Sequence, residues 1–413
     1  MQFSQSEALT FGMELEFQLV SASTGALSPA SMGFWEVVKE RVDVARFSLE
    51  ATLSTMEINT SVHTDADAML TQTMALTQTL CDIAQPIGLW VRGGGTQLTQ
   101  FWNERIMAPT DRAQELTQRF GFLPKRFSTY GMHVHIGAAS ADSAIHMGNV
   151  LQALGPLFIA MSAASPFLQM SDTGFCASRP LEPLIYPHGG PMPRLKNWHA
   201  FEQLADEIFS TQLAHSLKDI YWDVRPKPEF GTIEVRVFDT PLSVHKAVGL
   251  AAFTRACAAL ALKGTLALPT APPPPTAERV SRFLACRDGL DAKLFDPFSQ
   301  QWRPAREWLK ALVDAIALSP VCAADLRHIQ ALHANCLIEQ DATVMRNTWE
   351  SALNQDFDVQ SRDVAQAKYS RELSLRLMVP AAQSKRPAPA TRAGRKSDVE
   401  KRAGNQPTPV RPG

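Results

Sequence analysis

The chain has 413 residues, of which 45% are hydrophobic and 20% are charged, and its formal net charge is −1. This composition is typical of a globular protein, and the near-zero net charge excludes overall attraction to nucleic acid or anionic membranes. The 6 cysteines form no C-x-x-C pair, so we predict reduced core thiols rather than a zinc or disulfide framework. Neither a secretory signal nor an apolar run of about 18 residues is present, so we expect a cytoplasmic protein without a membrane segment.

The first third of the chain predicts a strand with an acidic face. Between Thr10 and Val20 apolar residues alternate with polar ones, which places Glu14 and Glu16 on the same side. Residues 47–59 are predicted to be extended, and a short strand at 89–92 runs into three glycines, a loop where backbone can approach a ligand. Helical spacing predicts helices over residues 31–41, 65–87 and 111–120.

The middle of the chain predicts two more strands with polar faces. Residues 130–137 alternate so that His133 and His135 share one face, and residues 231–238 place Glu234 and Arg236 together. The segment 175–193 is predicted to be a long irregular loop, of the kind that often binds ligands. Helices are predicted at residues 141–154 and 199–209, and the apolar stretch 150–167 is predicted to be a buried helix rather than a membrane span.

Helical patterns dominate after Val244, interrupted by a proline-rich connector near residues 269–275. We predict one catalytic domain over residues 1–380. From 381 to 413 the sequence has eight basic and two acidic residues, a net charge of 8 − 2 = +6, with little that could form a core. We therefore predict a disordered basic tail, more simply a solvated one than a polyanion-binding one.

The three strands each offer ionisable residues at positions i and i+2, which lie roughly 6.5–7 Å apart on one face. Glu14 and Glu16 suit Mg²⁺ or Mn²⁺, which prefer oxygen ligands. Glu234 and Arg236 could bind a metal ion and a phosphate oxygen. Each pair taken alone is equally compatible with a solvated strand face or a salt bridge, and His133 with His135 could be a satisfied buried pair.

Together the pairs are better explained by one charged sheet face. Carboxylates, imidazoles and a guanidinium are the groups needed to hold metal-bridged phosphates and to stabilise phosphoryl transfer. Other phosphate-binding motifs do not account for them, because the chain has no G-x-x-x-x-G-K-[ST] and its three glycines lack the G-x-G-x-x-G pattern.

These motifs, in this order and spacing, resemble the type 2 glutamate–cysteine ligases, in particular their bacterial carboxylate–amine ligase branch. The resemblance extends from about residue 8 to about residue 375 and rests on the segments 11–17, 93–96, 130–137, 178–180, 190–193, 222–226 and 231–241. It implies an α+β fold with a glutamine-synthetase-like curved antiparallel sheet flanked by helices.

The resemblance also implies roles for individual residues. It implies metal ligands at Glu14, Glu16, Glu57, His133 and Glu234, with Glu50 a weaker candidate. Arg236 matches the arginine that meets the transferring phosphoryl group. Arg179 and Arg225 are implied to act in catalysis by binding a substrate carboxylate or ATP phosphates, the alternative being structural salt bridges. His135 and Thr96 are implied to bind substrate or ATP.

The implied reaction uses ATP with two or three Mg²⁺ ions, Mn²⁺ being an alternative. Glutamate would be activated as an acyl phosphate and joined to an amine, cysteine being the first choice, to give γ-glutamylcysteine. The resemblance implies no specific nucleic-acid partner and leaves a homo-oligomer, in particular a dimer, open. Other hypotheses are a guanidino kinase and a catalytically altered nucleotide- or metal-binding protein.

The sequence departs from the family pattern in two places. Leu15 stands where many relatives have a third consecutive acid, but it points to the opposite face of the strand. Gln97 and Leu98 stand where relatives commonly have His-Pro, so the chain could be a ligase that uses a different amine.

Overall fold

The computed structural model describes residues 1–41, 44–126, 129–319, 323–353 and 361–379. Within these ranges the strands are β1 (Phe11–Ser21), β2 (Phe47–Leu49), β3 (Thr55–Asn59), β4 (Leu89–Arg92), β5 (Gly131–Gly137), β6 (Phe167–Leu168), β7 (Ser171–Asp172), β8 (Gly189–Gly190), β9 (Tyr221–Trp222), β10 (Val224–Lys227), β11 (Thr232–Asp239), β12 (Lys293–Asp296) and β13 (Gln301–Pro304).

The helices of the same ranges are α1 (Ser31–Arg41), α2 (Ala66–Ala84), α3 (Asp111–Phe120), α4 (Leu123–Arg126), α5 (Ala141–Ala153), α6 (Gly155–Ser162), α7 (Trp198–Ser210), α8 (Val244–Leu262), α9 (Pro275–Asp288), α10 (Ala305–Ala317), α11 (Ala323–Ile338), α12 (Asp341–Leu353) and α13 (Ser361–Arg376). Polar caps begin several of them. The Asp65 side chain accepts from Ala68 N at the start of α2, for example.

The main sheet is antiparallel, with the strand order β10-β11-β5-β1-β3-β2, and β4 pairs with the second half of β1. Its register places Glu14 opposite His133, Glu16 opposite Glu57, and Glu234 opposite His135. Because cross-strand neighbours point to the same side of a sheet, these residues share one face.

The opposite face of the sheet is apolar and forms the main core. Met13, Leu15 and Phe17 of β1 are almost fully buried there, together with Val134 of β5 and Val235 of β11. Helices α5, α6 and α8 pack on this side. The predicted α+β fold, with a mostly antiparallel sheet flanked by helices, is confirmed.

Several predicted elements match the structure closely and others differ. The helices at 31–41 and 111–120 and the strand at 89–92 have the predicted bounds. The helix predicted over 65–87 ends at Ala84 and continues as a 3₁₀ turn that contains Pro86. The extended segment 47–59 is two strands, β2 and β3. The irregular segment 175–193 contains a 3₁₀ helix, Arg179–Ile185, and the short strand β8.

The apolar stretch at 150–167 is buried, but it is not a single helix. Helix α5 ends at Ala153, and α6 begins at Gly155 with Pro156 in its first turn. None of the described helices is long and apolar enough to cross a membrane alone. α5 and α6 pass that test only as a pair, and they are bent by 59° at their junction.

The C-terminal part is largely helical, as predicted, but the hairpin of β12 and β13 was not anticipated. Residues 269–274 are neither helix nor strand and lead into α9. Cys257, Cys286 and Cys336 are buried free thiols, whereas Cys81 and Cys176 are partly buried. Cys322 and the basic tail lie outside the described residues, so the single-domain arrangement and the disordered tail stay predictions.

Candidate active site on the charged face of the sheet

Five carboxylates and two imidazoles converge on the charged face, and we refer to them as the acidic cluster. Its members are Glu14, Glu16, Glu50, Glu57, His133, His135 and Glu234. The three strand pairs that the sequence predicted are therefore brought together. Glu57 of β3 joins them directly opposite Glu16, and Glu50 joins from just after β2.

The two histidines bracket Glu14. His133 Nδ1 lies 2.7 Å from Glu14 Oε2, and His135 Nε2 lies 3.1 Å from Glu14 Oε1. His135 Nδ1 also lies 3.1 Å from the hydroxyl of Thr232. Both rings are held by strand-face neighbours, as the alternation of β1, β5 and β11 requires.

Two arginines hold Glu234. Its Oε2 accepts from Arg225 Nε at 3.0 Å and from Arg225 Nη2 at 2.9 Å, and its Oε1 accepts from Arg236 Nη1. Arg225 Nη1 donates to the carbonyls of Leu217 and Ile220, both at 3.0 Å. Arg225 therefore positions Glu234, and its implied contact with a substrate stays a prediction.

A β-bulge sets the direction of Arg236. The register of β11 against β5 shifts between Val235 and Phe238, so that two residues of β11 face one of β5. Arg236 Nη1 lies 3.4 Å from His133 Nδ1, next to the acidic cluster. Burial lowers the pKa of Arg236, but Glu234, Glu14 and Glu16 outweigh it and raise the pKa, so the side chain stays cationic.

The acidic cluster carries more negative charge than its neighbours balance. Burial, together with the charges of Glu16 and Glu14, raises the pKa of Glu50 to about 8. Burial and the same kind of repulsion also raise the pKa of Glu57 well above its ordinary value. By contrast, despite the opposing effect of burial, Arg225 and Arg236 hold the pKa of Glu234 far below its usual range.

These residues fit divalent cations. Ligand atoms lie within 4.8 Å of one another in three overlapping groups: Glu14, Glu57 and His133; Glu14, His135 and Glu234; Glu16, Glu50 and Glu57. His133 Nε2 is buried and has no hydrogen-bond partner among the described residues. Burial and Arg236 lower the pKa of His133, which keeps the ring neutral and its lone pair available. Oxygen-rich groups with one imidazole suit Mg²⁺ or Mn²⁺.

Arg179 borders the same face. Its guanidinium lies against Gly131, where an added Cβ would come within 1.9 Å of Nη2, so a larger residue at position 131 would displace the guanidinium. Nη1 and Nη2 each make a long contact, 3.4 Å, to the carbonyl of Arg236. A small cavity lies between Arg179 and Arg236, with Tyr221 in its wall. A carboxylate or phosphate could be bound between these two arginines.

Thr96 lies outside the acidic cluster, in the loop after β4, where it contacts Gln18 of β1. Its hydroxyl donates to the carbonyl of Phe167 at 2.6 Å, and its own carbonyl accepts from Gln18 Nε2 at 3.2 Å. Gln97 is buried, and its Oε1 accepts from the amides of Thr99 and Gln100. Gln97 Nε2 has no acceptor among the described residues. The implied ligand contact of Thr96 stays a prediction.

Asp239 is a supporting residue that the sequence did not single out. It is fully buried, and its Oδ2 accepts from Ala164 N at 2.8 Å and from Ser165 Oγ at 2.7 Å. Ser165 Oγ in turn accepts from the amide of Arg179 at 3.0 Å. Burial raises the pKa of Asp239 to about 6, against the opposing charge of Arg179. The sequence could have indicated Asp239, because it lies in the segment 231–241, which carries part of the resemblance to the family.

Comparison with known proteins places this geometry in a family. The model of glutamate-cysteine ligase family 2 matches residues 10–341. A protein of Acidovorax sp. (strain JS42) is 39% identical over 315 residues, which is 76% of this chain and 84% of that protein. One from Nitrosospira multiformis is 35% identical over 334 residues, 81% of this chain and 87% of that protein. Both carry the provisional name glutamate–cysteine ligase 2.

Solved structures support the fold. Glutamate–cysteine ligase from Francisella tularensis, in complex with AMP, matches with a TM-score of 0.62 at 12% identity, over 91% of this chain and 90% of that chain. A bifunctional glutathione synthetase from Pasteurella multocida matches with a TM-score of 0.57 at 12% identity, over 89% of this chain and 51% of that chain. With the family model and the relatives, the motifs are explained: the chain belongs to glutamate-cysteine ligase family 2 and is an ATP-dependent ligase of the amide-forming type.

Proposed function

We propose that the chain joins the side-chain carboxylate of L-glutamate to the amine of L-cysteine, at the expense of ATP, to give γ-glutamylcysteine, ADP and phosphate. The observation that carries this proposal is the acidic cluster with Arg236 beside it, buried on the sheet face. Such a surplus of buried carboxylates is costly unless bound cations offset it.

The chemistry has two steps. The terminal phosphoryl group of ATP moves to a glutamate side-chain oxygen, the bond to the bridging oxygen breaks, and ADP leaves. The amine nitrogen then attacks the acyl carbon, the carbon–oxygen bond to phosphate breaks, and the amine loses a proton. Both steps develop negative charge on oxygen, which fixed cationic groups can stabilise.

Glu14, Glu16, Glu57, His133 and Glu234 would hold two or three Mg²⁺ ions, or Mn²⁺, with Glu50 completing one group. Bound there, the ions would neutralise phosphate oxygens and orient the terminal phosphate for transfer. The protein's contribution is to fix these ligands on rigid strands. His135 helps by orienting Glu14 through the bond to its Oε1.

The arginines would act on the substrates. Arg236, anchored by Glu234, would contact the phosphoryl group in transfer. Arg179, whose Nε has no acceptor among the described residues, would bind a phosphate or a carboxylate in the adjoining cavity. Arg225 would act through Glu234, as a positioning residue. The Francisella ligase with bound AMP supports a nucleotide on this fold, and a cytoplasmic location suits the substrates.

The direct test is release of ADP by the purified full-length chain. ATP and Mg²⁺ would be supplied with each amino acid singly and in pairs, and γ-glutamylcysteine would be identified by mass. We expect ADP release that depends on glutamate together with cysteine. Release that never depends on an amine would contradict ligase activity.

A matched pair of variants ties the activity to the site. Glu234→Gln should abolish most turnover, because it removes the charge that anchors Arg236 and a metal-binding oxygen. Glu229→Gln lies in the turn of the same hairpin, where Glu229 is exposed and pairs with Lys227, and it should turn over normally. Equal rates in both variants would mean that the acidic cluster is not the active site.

A ligase that uses a different amine is the second candidate, favoured by Gln97. This residue stands where relatives commonly have histidine, and its buried Nε2 donor has no acceptor among the described residues. A higher kcat/KM with another amine than with cysteine would support this candidate, and the same pairwise assay measures it.

A further inference from the structure

Two buried arginines lie beyond the acidic cluster, and the charge of one carboxylate, Glu182, acts on Arg105. Arg92, the last residue of β4, is fully buried, and Arg105 is 2% exposed. Neither forms a salt bridge in the part of the chain that the structure describes. Buried charges in proteins are normally paired because their desolvation costs several kcal/mol. Two such cations near a catalytic site therefore call for a physical explanation.

Arg92 lies on the same face as the acidic cluster. It is opposite Gln18 in the register of β1 and β4, and Gln18 follows Glu16 by two residues. That spacing places Arg92 roughly one strand step of 6.5–7 Å beyond Glu16 along β1. Gln18 itself is turned to the glycine loop, since its Nε2 donates to Gly94 O at 2.8 Å.

The contacts of Arg92 leave donors unused. Its Nη1 donates to Ser370 Oγ at 3.1 Å, and its guanidinium lies 5.1 Å from the ring centre of Tyr369, both on α13. Nε and Nη2 have no acceptor among the described residues. Burial lowers the pKa of Arg92, and the groups that oppose this are two tyrosines, Tyr369, which also forms a side-chain hydrogen bond with Arg92, and Tyr130. Arginine nevertheless stays protonated in proteins.

Arg105 extends the same positive region. Its Nη1 donates to the carbonyls of Lys125 and Arg126 at 3.0 and 2.7 Å, while its Nε has no acceptor among the described residues. The Tyr130 hydroxyl is buried and interacts electrostatically with both Arg92 and Arg105. The charged face is thus acidic around Glu14 and cationic beyond Glu16.

We propose that Arg92 and Arg105, with Tyr130, form a subsite for the α-carboxylate of an amino-acid substrate of the ligase. This inference rests on the proposed function. A guanidinium fork binds a carboxylate through paired, charge-assisted hydrogen bonds, which would occupy the unused donors. A dicarboxylic amino acid with its side-chain carboxylate at the acidic cluster would extend its α-carboxylate toward Arg92.

Two substrates carry such a carboxylate, and kinetics can separate them. Steady-state KM would be measured for L-glutamate and its analogue 4-aminobutyrate, and for L-cysteine and its analogue 2-aminoethanethiol; each analogue lacks the α-carboxylate. In Arg92→Met of the full-length chain, we expect KM to rise about tenfold to a hundredfold for the amino acid that binds there. KM for the corresponding analogue should stay as in the wild type.

Arg255 provides a matched control. Its guanidinium lies 4.9 Å from the ring centre of Phe11, much as Arg92 lies over Tyr369, but it pairs with the carboxylate of Asp325. Arg255→Met should therefore lower the melting temperature, whereas Arg92→Met, which removes an unbalanced buried charge, should leave it unchanged or raise it. KM for both amino acids should be unchanged in Arg255→Met.

Thermal unfolding with L-glutamate or L-cysteine gives a readout that needs no turnover. One of them should raise the melting temperature of the wild type, and Arg92→Met should lose that increase. Unchanged KM values, an equal rise in KM for the analogue, or an unaltered ligand-induced shift would each overturn the subsite. A wild type that binds the amino acid through Arg92 but forms no amide would contradict the proposed function alone.

Discussion

Two charged regions of the molecule differ in how the charges of their buried carboxylates are balanced. In the first, which we call the Asp219 network, Asp219 accepts hydrogen bonds from Arg112, Arg119 and the amide of His215. Although Asp219 is buried, which opposes ionisation, these donors lower the pKa of Asp219 to about 2. In the acidic cluster, by contrast, burial and neighbouring carboxylates raise the pKa of Glu50 to about 8.

The difference separates charges that serve the fold from charges that need a ligand. In the Asp219 network the carboxylate is paired by groups of the chain itself, and it joins both the start and the end of α3, through Arg112 and Arg119, to the segment before β9. In the acidic cluster neighbouring carboxylates repel one another, and in the proposed function bound cations would offset that repulsion. Arg92 and Arg105, which lie beyond Glu16, present the opposite case, an excess of buried positive charge. We therefore expect variants of the two regions to affect different measurements.

The largest effect is expected for Arg236→Ala, on turnover. This change removes the guanidinium that faces the acidic cluster, and loss of one group that stabilises transition-state charge lowers kcat by about 10²–10³-fold. Initial rates of ADP release at saturating substrate measure it. Arg287→Ala is the control, because Arg287 is exposed, forms a salt bridge with its neighbour Asp288 and lies over the ring of Phe283. Turnover in Arg236→Ala near that of the control would contradict the assignment.

The next effect is the response of stability to metal ions. Mg²⁺ or Mn²⁺ should raise the free energy of unfolding of the metal-free wild type, by about 2.7 kcal/mol at a concentration one hundred times Kd. Glu57→Gln should reduce this gain, because Glu57 contributes to two of the three ligand groups. Denaturant unfolding with and without the ion measures it.

The matched control for Glu57→Gln is Glu229→Gln, which should respond to the ions as the wild type does. An equal response of Glu57→Gln and the wild type would mean that the ions bind elsewhere. The ions should not act on the Asp219 network, because the charge of Asp219 is already balanced by arginines.

The grouping of side chains on the charged face could largely be predicted from the sequence, because alternation in a strand fixes which side chains share a face. That rule placed Glu14 with Glu16, His133 with His135, and Glu234 with Arg236, and the order of these motifs identified the family. The charged face could therefore be predicted from the residues alone, whereas the α+β fold was implied by the resemblance to the family.

What the sequence could not provide were contacts set by topology. Glu50 enters the cluster just after β2, where no periodicity marks it and the family resemblance gave only a weak indication. Arg92 meets Gln18 only because β4 continues along β1 beyond the end of β5. The engagement of Arg225 with Glu234 and two carbonyls also depends on the register of β10 and β11. Such neighbours are distant in the chain, so local patterns carry no signal of them.

A smaller effect is expected in the Asp219 network, on stability and not on the chemistry. Asp219→Asn should lower the free energy of unfolding by about 1–3 kcal/mol, because it leaves Arg112 and Arg119 without their shared carboxylate. Denaturant unfolding measures it, and KM values should be unchanged. A change in KM without a loss of stability would contradict a structural role.

The same variant has a defined pH dependence. The pKa of Asp219 is lowered in the fold from 3.8 to about 2, so the ionised carboxylate stabilises the native state above about pH 4. That contribution is lost as the pH falls through about 2. The stability difference between wild type and Asp219→Asn should therefore be constant near neutrality and shrink in acid. A difference that grows in acid would contradict this assignment.

The smallest effect on the free energy of unfolding is expected when the same aspartate-to-asparagine substitution is made in an exposed salt bridge. Asp314 lies 2.6 Å from Lys310 one helical turn earlier on α10, and both side chains are about 60% exposed. Solvent screens such a pair, so Asp314→Asn should change the free energy of unfolding by about 0.5 kcal/mol or less. Because the chemical change equals that in Asp219→Asn, the ratio of the two losses measures what burial and multiple donors add. A loss at Asp314 as large as that at Asp219 would show that charge alone, and not its enclosure, determines the stability of these regions.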